Sequence, residues 1–376
     1  MVTQPDEPQR IARLTPVGDL LARIDAQVAR VEPGPLEVAT PGLVLARDVV
    51  TGPHPHAPLA LRDGWAVRSD LTTDAGAYAP APLPTATRID VGQPMPAGTD
   101  AVATLDVVLV RPGRIEITAP VAPGDGVLPA GGDGDRRLAW LQQGRRLTPL
   151  HAAVLAATDA ADQTLYVCEP QVRLARSHPD RDPIIDAAVH LIAGHIVAAG
   201  AAVLREEPGA VSPLDAALAD DSADAIMVIG GTGSGTDDRS VHALARRGRV
   251  EMHGLALSPG ETAAFGFMGS RPVLLLPGRL DAALAVWLVV GRHLLARLTG
   301  SIEPEPVTRA KLARKVSSTL GLTEVIPVRL RDGAAEPIAS GYVPLSALGQ
   351  ADGWILVPPD SEGFPPGAEV VIRPWP

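Results

Sequence analysis

The residues with the clearest chemical meaning form a glycine-rich turn directly after an apolar strand. Residues 225–229 read Ala-Ile-Met-Val-Ile and predict a buried strand, and residues 230–238 continue as Gly-Gly-Thr-Gly-Ser-Gly-Thr-Asp-Asp. Glycine lets backbone amides approach a ligand closely, and a helix over residues 239–247 would direct its first N–H groups to the same place. The pattern therefore predicts an anion site, most simply for a phosphate, at the carboxyl end of a strand.

Two better-known phosphate motifs do not fit this turn. No Gly-Lys-Ser/Thr follows it, so it is not a P-loop, and the run that starts at Gly231 ends on Thr236, where a dinucleotide fingerprint has its third glycine. The structural alternative is a tight connection between strand and helix in which Asp237 or Asp238 caps the helix. The sequence leaves both interpretations open.

Composition excludes some classes of ligand and location. The 376 residues carry a formal net charge of −10, whereas a general nucleic-acid binder needs a basic face, so we expect no nucleic-acid partner. Cys168 is the only cysteine, which rules out an internal disulfide and fits a reducing, cytoplasmic location. The apolar run at residues 282–291 is too short to span a bilayer, so we expect no membrane segment.

The elements around the turn predict an α/β plus β multidomain protein. Alternating strands and helices from residue 172 onward predict a parallel sheet, whereas short β runs separated by proline and glycine predict an inserted β domain. The helices are expected at residues 17–31, 150–161, 183–199, 213–219, 239–247 and 281–298, and a C-terminal strand at 338–339. The predicted domains are an N-terminal and linking domain (10–51 and 145–170), the inserted β-rich domain (52–144), an α/β domain (171–301) and a C-terminal β barrel or sandwich (302–376).

Four short segments together carry a family resemblance. They resemble the pieces, in order and spacing, of the MoeA family, the molybdopterin molybdenumtransferases, which includes the C-terminal half of gephyrin. The resemblance implies an elongated MoeA-like architecture whose parallel-sheet domain binds molybdopterin. The segments are residues 62–68 (Arg-Asp-Gly-Trp-Ala-Val-Arg), residues 91–102 (Val-Gly-Gln-Pro-Met-Pro-Ala-Gly-Thr-Asp-Ala-Val), the glycine turn, and the group 258–261 (Ser-Pro-Gly-Glu), 265–266 (Phe-Gly) and 276–278 (Leu-Pro-Gly).

The resemblance also implies an activity. Enzymes of this family act in molybdenum cofactor biosynthesis: they take adenylylated molybdopterin, release AMP and insert molybdate, with Mg²⁺ assisting. A cytoplasmic homodimer is implied, as is a molybdopterin adenylyltransferase or a molybdoenzyme as protein partner. The alternative is a catalytically impaired paralogue that binds molybdopterin or the molybdenum cofactor as a carrier or scaffold.

Individual residues follow from the same resemblance. Asp63 and Asp238 match catalytic acidic positions of the family, and together with Asp133 they match metal-binding positions. Carboxylates are suitable oxygen ligands for Mg²⁺, although Asp63 and Asp133 sit beside glycine and could instead shape turns. The expected cofactor-binding residues are Gly230, Gly231, Thr232, Gly233, Ser234, Gly235, Ser258, Pro259, Gly260, Pro277, Gly278 and Arg279.

The expected site differs from the family pattern in its charge. Ser258 and Glu261 stand where the family has lysines, and Val91 stands where it has a threonine. A carboxylate that faces phosphate or molybdate is repulsive, whereas arginine binds such anions well. We therefore expect arginines to restore part of the positive charge. They are Arg62, Arg181 and Arg279.

Overall fold

The computed structural model describes residues 9–50, 52–134, 139–158, 164–180, 182–205 and 213–375. The first helix, α1 (Val17–Gln27), buries Leu20 and Ile24, as its apolar spacing predicts. It ends earlier than residue 31 because Val28 is extended, with φ −99° and ψ 115°. Two short strands follow, β1 (Gly34–Leu36) and β2 (Val44–Leu45).

A β-rich segment comes next, as the alternation of short apolar runs with proline and glycine predicts. Its sheets have the strand orders β6-β4-β7, β5-β9-β8 and β10-β3. The apolar stretch at residues 101–110 is interrupted by a 3₁₀ turn, Leu105–Val107, and so forms two strands. The strands are β3 (Leu59–Ala60), β4 (Gly64–Val67), β5 (Ala81–Pro82), β6 (Thr87–Ile89), β7 (Ala101–Ala103), β8 (Val108–Arg111), β9 (Arg114–Ile117) and β10 (Val127–Leu128).

The chain then returns to its first part. Helix α2 (Pro149–Ala156) is capped by Thr148, whose hydroxyl accepts from the amide of His151. Strand β11 (Leu165–Cys168) pairs antiparallel with both β1 and β2. The two ends of the β-rich segment are therefore joined through one small sheet. Helix α2 ends at Ala156, and residues 159–161 of the longer predicted helix lie outside the described part of the chain.

A six-stranded sheet organises the α/β region, in the order β13-β12-β14-β18-β17-β15. The first four strands are parallel, as predicted, but β17 and β15 extend the sheet antiparallel. Only two residues connect β17 to β18, which permits a hairpin but no crossover. The elements are β12 (Gln171–Arg176), α3 (Pro183–Ala198), β13 (Ala202–Arg205), α4 (Pro213–Ala219), β14 (Ala225–Ile229), α5 (Ser240–Arg247), β15 (Arg249–His253), β16 (Leu257–Ser258), β17 (Ala264–Met268) and β18 (Arg271–Leu276).

Both faces of this sheet are covered by helices. Strand β14 is buried along its whole length and alternates its side chains between two cores. Met227 and Ile229 pack with α1 and α3, whereas Ile226 and Val228 pack with α4 and α5. A continuous apolar strand is typical of a sheet that is covered on both sides, and its carboxyl end lies at one edge of the layers.

A long apolar helix also packs on this sheet. It runs through α6 (Leu280–Val286), a π turn (Trp287–Gly291) and α7 (Arg292–Thr299). By length and composition alone, the helix over Leu280–Thr299 could cross a membrane, since an 18-residue stretch of it has a mean hydropathy of 1.4. The apolar run noted in the sequence, residues 282–291, is shorter. However, 72% of the 18-residue stretch is buried inside the protein, and Trp287 lies in the core. The burial is that of a core helix.

The C-terminal part forms a closed β barrel. The ring β21-β22-β19-β25-β23 closes because β23 also pairs with β21, and β16 of the α/β region adds to it in parallel with β21. The predicted strand at residues 338–339 is wrong, since β22 ends at Pro337. The elements are β19 (Thr308–Leu312), β20 (Val316–Ser317), β21 (Thr323–Arg331), β22 (Ala334–Pro337), α8 (Leu345–Leu348), β23 (Gly353–Val357), β24 (Gly363–Phe364) and β25 (Glu369–Pro374).

Candidate active site

The glycine turn, residues 230–238, lies at the carboxyl end of β14 between β12 and β18. Gly230 and Gly231 have positive φ angles of 95° and 68°, which side chains rarely adopt. A Cβ atom on Gly230 would lie 2.6 Å from the Ser177 hydroxyl, and one on Gly231 would lie 2.5 Å from the Ser240 hydroxyl. Glycine is therefore required here both by the backbone conformation and by close packing.

Most carbonyl groups of the turn accept hydrogen bonds. The donors come from α5, from β15 and from the segment before α1, so distant parts of the chain converge on this turn. The bonds are Ser240 Oγ to Gly230 O (2.8 Å), Ser240 N to Gly231 O (3.0 Å), Gln9 Nε2 to Gly231 O (3.0 Å) and to Gly233 O (2.9 Å), His253 Nε2 to Thr232 O (2.9 Å) and Asp238 N to Gly235 O (3.1 Å).

Several amide groups of the same turn remain available. Within the described residues, the N–H groups of Gly231, Thr232, Gly233 and Ser234 donate to no protein acceptor. Gly231 and Thr232 are buried residues, and a buried amide normally finds an acceptor. Carbonyls that are occupied and amides that are available make the turn a donor surface of the kind that binds anions.

Ser177 adds a hydroxyl to this surface. It follows β12 directly and is only 7% exposed, and its Oγ has no hydrogen-bond partner in the described chain. Its amide donates to Ile229 O (3.0 Å), which places the side chain against Gly230 and Gly231. A buried hydroxyl without a partner is costly, so the position suits a residue that contacts a ligand.

The start of α5 differs from both sequence interpretations. Its N-cap residue is Arg239, which makes no side-chain capping bond, so neither Asp237 nor Asp238 caps the helix. The amides of Val241 and His242 instead donate to Gln9 Oε1, at 2.8 and 3.1 Å. These helix amides are therefore not free for an anion, contrary to the expectation from the sequence.

Asp238 has a local role in the turn. Its Oδ2 accepts from the amide of Gly235 at 2.8 Å. A Cβ atom on Gly233 would lie 2.7 Å from the same oxygen. The carboxylate therefore closes the second half of the turn and stands directly beside the available amides.

His253 and two threonines hold the side of the turn. The Thr232 carbonyl accepts from Nε2 of His253, which assigns the proton to that nitrogen. Burial lowers the pKa of His253. The hydroxyls of Thr232 and Thr262 lie 3.0 Å apart, which brings the loop after Ser258 against the glycine turn.

Two further predicted segments approach the same place. A Cβ atom on Gly278 would lie 3.5 Å from Gly230 Cα, so the Leu-Pro-Gly turn, with Pro277, adjoins the glycine turn. Ser258 pairs with the barrel strand β21, and Gly260, after Pro259, has φ 136°. The amide of Gly260 donates to Glu261 Oε2 at 3.0 Å.

Arg279 is an exposed cation next to Gly278. Its guanidinium binds Asp281 through two bonds of 3.1 and 2.5 Å and lies 4.9 Å from the ring centre of Tyr342 in the barrel segment. The hydrogen bonds to Asp281 raise the pKa of Arg279. The Arg279 side chain is 56% exposed, so part of its guanidinium remains accessible to solvent.

The other predicted charged residues lie elsewhere. Arg62 donates to Val102 O and pairs with Asp125 at 2.8 Å, so it fixes a turn of the β-rich segment. Asp63 is exposed there and accepts from Val91 N at 2.8 Å. Asp133 is also exposed on the β-rich segment. Arg181 lies outside the described residues.

The three predicted metal ligands do not form a site within one chain. Across the residues that the structure describes, no group of three or more histidine, cysteine, aspartate or glutamate side chains is placed to hold a metal ion. Asp63 and Asp133 belong to the β-rich segment, whereas Asp238 belongs to the glycine turn. The metal and catalytic roles of these residues stay predictions.

Sequence reasoning missed three residues of this site. Ser177 could have been found, because it follows a predicted strand and so belongs to the same carboxyl edge as the glycine turn. Gln9 and His253 carried no such signal. Each reaches the turn only through the folded chain, over sequence separations of 222 and 21 residues.

Comparisons with known proteins give a consistent result along the chain. Residues 15–158 match the family model described as the MoeA N-terminal region, domains I and II. Residues 181–297 match a probable molybdopterin binding domain, and residues 309–375 match the MoeA C-terminal region, domain IV.

Individual relatives agree with these matches. The chain is 26% identical over 378 residues to molybdopterin molybdenumtransferase 2 of Mycobacterium tuberculosis, covering 88% of this chain and 92% of the relative. It is 26% identical over 236 residues to the molybdopterin molybdenumtransferase of Haemophilus influenzae, covering 58% and 57%. The crystal structure of a molybdopterin biosynthesis MoeA protein from Pyrococcus horikoshii shares the fold, with a TM-score of 0.74 at 24% identity over 97% of this chain and 100% of that one.

Proposed function

The chain belongs to the MoeA family, and on that premise we propose that it is a molybdopterin molybdenumtransferase of molybdenum cofactor biosynthesis. It would insert molybdate into adenylylated molybdopterin and release AMP. The observation that carries this proposal is the hydrogen bonding of the glycine turn. Its carbonyls accept hydrogen bonds from other parts of the chain, whereas four of its amides find no acceptor in the described chain. A ligand with phosphate groups matches such a donor surface.

The proposed pterin site extends beyond the turn. The amides of residues 231–234 and the Ser177 hydroxyl would hold a phosphate, and Arg279 would approach it from the neighbouring turn. Pro277, Gly278 and the loop at residues 258–260 adjoin the turn and would contact the same ligand. Main-chain donors that are already in position stabilise the negative charge that develops when a phosphate bond is cleaved, because they need not rearrange.

The proposed acidic residues divide between two places. Asp238 stands at the turn, where it can orient the reacting groups, and Asp63 would have to approach from the β-rich segment. We propose both as catalytic residues, in keeping with the family pattern. Their separation in one chain is consistent with the proposed homodimer, since a second copy can supply what one chain lacks. Sedimentation equilibrium tests that assembly.

Mg²⁺ does not fit these three carboxylates as a set within one chain. Mg²⁺ commonly binds through one or two carboxylates together with the phosphates of a substrate and several waters. We therefore propose Mg²⁺ only as an ion that arrives with the substrate, with Asp238 as the carboxylate of the turn that faces it. The cytoplasmic location and the adenylyltransferase or molybdoenzyme partner are proposals that rest on the family resemblance.

The test is AMP release from adenylylated molybdopterin in the presence of Mg²⁺ and molybdate. We expect molybdate-dependent release, reduced about 100-fold or more in an Asp63→Asn variant. Asp70→Asn is the matched control, because Asp70 is an exposed aspartate of the same β-rich segment and forms an ion pair with Arg68. Binding of molybdopterin without AMP release would overturn the proposed activity and indicate a carrier.

A further inference from the structure

We propose that Gln9 is a positioning residue of the glycine turn, which aims two of its amides at the bound anion. The proposal rests on the proposed function, in which this turn binds the phosphate of the pterin substrate. Gln9 lies before the first helix and does not itself bind the available amides. Its effect would therefore pass through the backbone of the turn.

The side-chain amide of Gln9 is fully used and almost fully buried. It is 2% exposed. Nε2 donates to Gly231 O at 3.0 Å and to Gly233 O at 2.9 Å, whereas Oε1 accepts from Val241 N at 2.8 Å and His242 N at 3.1 Å. The reverse orientation of the amide would set oxygen against two carbonyls, so these partners determine which atom is which.

The geometry of the peptide bond explains how these contacts set the direction of two amides of the turn. In a trans peptide, the carbonyl of one residue and the N–H of the next point in opposite directions. By holding the carbonyl of Gly231, Gln9 directs the amide of Thr232 away from itself. By holding the carbonyl of Gly233, it directs the amide of Ser234 in the same way. Both amides are among those without an acceptor in the described chain.

The segment that carries Gln9 is itself fixed at its far end. Thr15 N donates to Gly254 O at 2.9 Å, and Ala256 N donates to Thr15 O at 2.8 Å. Between these points the chain passes so close to Gly254 that a Cβ atom there would lie 2.9 Å from Arg13 O. The segment at residues 9–15 therefore follows the end of β15 and leads Gln9 to the turn.

Gln9 also bridges the glycine turn and the first turn of α5, which follow each other in the chain. Its oxygen binds the first turn of α5 and its nitrogen binds the glycine turn, which adds to the bonds that Ser240 makes to Gly230 and Gly231. Without it, the turn carbonyls of Gly231 and Gly233 would each lose a donor, although Gly231 keeps the amide of Ser240. The amide of Ser234 depends on Gln9 most directly.

The test compares two variants of Gln9 with a matched glutamine elsewhere. Gln9→Ala removes all four hydrogen bonds, whereas Gln9→Glu keeps acceptors for the helix amides but loses both donors to the turn. Gln27→Ala is the control, because Gln27 also accepts one hydrogen bond, from Arg249, but lies outside the turn. The dissociation constant for molybdopterin is measured by calorimetry below the melting temperature of every variant.

We expect both Gln9 variants to bind molybdopterin about tenfold more weakly, the equivalent of one hydrogen bond to a charged group. In turnover, KM should rise while kcat changes much less, because the amides hold the phosphate before and during the reaction. Gln27→Ala should bind as the wild type does. Unchanged affinity in both Gln9 variants would overturn the proposal, whatever happens to their melting temperatures.

A second measurement separates this proposal from the proposed function. Amide hydrogen exchange of the peptides that cover residues 230–242 is recorded without ligand. We expect faster exchange at Val241 and His242 in Gln9→Ala but not in Gln9→Glu, and faster exchange at Ser240, whose amide donates to Gly231 O, in both. If the wild type binds no molybdopterin, the proposed function fails, and unchanged exchange at Ser240 would then overturn the role of Gln9 as well.

Discussion

At the scale of single residues, we propose that backbone donors and Arg279 take the place of lysine charge in the candidate site. Glu261, which stands at a family lysine position, directs an oxygen to the amide of Gly260. Arg279 is the cation of the neighbouring turn, and Asp281 holds its guanidinium while also accepting from Val343 N at 3.0 Å. We propose that this cation, which the barrel helps to fix, offsets part of the charge change seen in the sequence.

The first prediction concerns Arg279. Replacing it in Arg279→Ala should weaken molybdopterin binding about tenfold, because a hydrogen bond to a charged group contributes about 1.5–3 kcal/mol. Arg309→Ala is the matched control, since Arg309 pairs with Glu369 on the exposed surface of the barrel. Calorimetric titration measures both variants. Equal affinity of Arg279→Ala and the wild type would rule Arg279 out as an anion-binding residue.

The second prediction concerns pH. Burial lowers the pKa of both His195 and His253 below the ordinary value of about 6.5. Between the folded and unfolded pKa values the unfolded chain binds more protons, so stability should rise with pH in this window. We expect the free energy of unfolding to reach its full value above about pH 6.5 and to decrease as the pH falls below that value.

Urea unfolding between pH 5 and 8 measures this dependence. His253→Gln keeps an N–H donor for the Thr232 carbonyl but does not titrate, and His195→Gln removes the second group. The double variant should show a shallower slope between pH 5 and 6.5 than the wild type. A slope that is unchanged in the double variant would mean that other groups cause the pH dependence.

At the scale of elements, the glycine turn is held in a conformation that side chains rarely adopt. The third prediction uses this. In Gly231→Ala the positive φ and the approach to Ser240 Oγ act together, and we expect a loss of about 3 kcal/mol in the free energy of unfolding. Gly269→Ala is the control, because Gly269 has a similar φ of 62° but nothing within 4 Å. Its loss should be about 1 kcal/mol.

Equal losses in these two variants would contradict the close packing at Gly231. Urea unfolding at pH 7 measures the stability of both. Molybdopterin binding should fall in Gly231→Ala only, since the control lies in the hairpin between β17 and β18.

The fourth prediction compares the same substitution, glycine to alanine, at one glycine of the long helix and at one glycine of α3. A Cβ atom on Gly291 would lie 2.5 Å from the ring of Trp287, whereas one on Gly194 of α3 would meet nothing within 4 Å. Gly194→Ala should stabilise the protein by about 0.5–1 kcal/mol, because alanine is the better helix former. Gly291→Ala should destabilise it by about 1–3 kcal/mol. Thermal unfolding compares the two, and the same sign in both would contradict the packing of Trp287.

At the scale of the whole molecule, two glutamates of the segment after α7 connect three regions of the chain. Glu305 binds Arg292 of α7 and Arg373 of β25, the latter at 3.1 Å. Glu303 accepts from Arg146 N at 3.1 Å, before α2. A cavity of about 540 Å³ lies beside these residues, with His195 and Trp287 in its wall. The charge pairs therefore join the α/β region, the barrel and the N-terminal part.

The fifth prediction tests this connection. Glu305→Gln leaves two half-buried arginines without their carboxylate, and we expect a loss of about 1–2 kcal/mol in stability. Glu369→Gln is the control, because its pair with Arg309 is exposed and such pairs contribute at most about 1 kcal/mol. Thermal unfolding at low and high salt measures both. A larger effect in the control would contradict the proposed connection.

The exact domain boundaries given by the sequence stay a prediction.

The sequence by itself determined the family and the local elements. The apolar run of β14, the proline and aspartate that start α3, and the glycines of the turn each act through neighbouring residues, so their patterns predict the strand, the helix and the turn. The order of the four family segments then indicated the MoeA fold and its activity.

Only the tertiary structure decided how the site is assembled. The Ser177 hydroxyl at Gly230 and the use of the α5 amides by Gln9 depend on contacts between distant parts of the chain. The same holds for the metal ligands, which share a family pattern but do not meet within one chain across the described residues. Local patterns determine which conformation a segment prefers, whereas hydrogen-bond partners across more than 200 residues are set by how the segments pack.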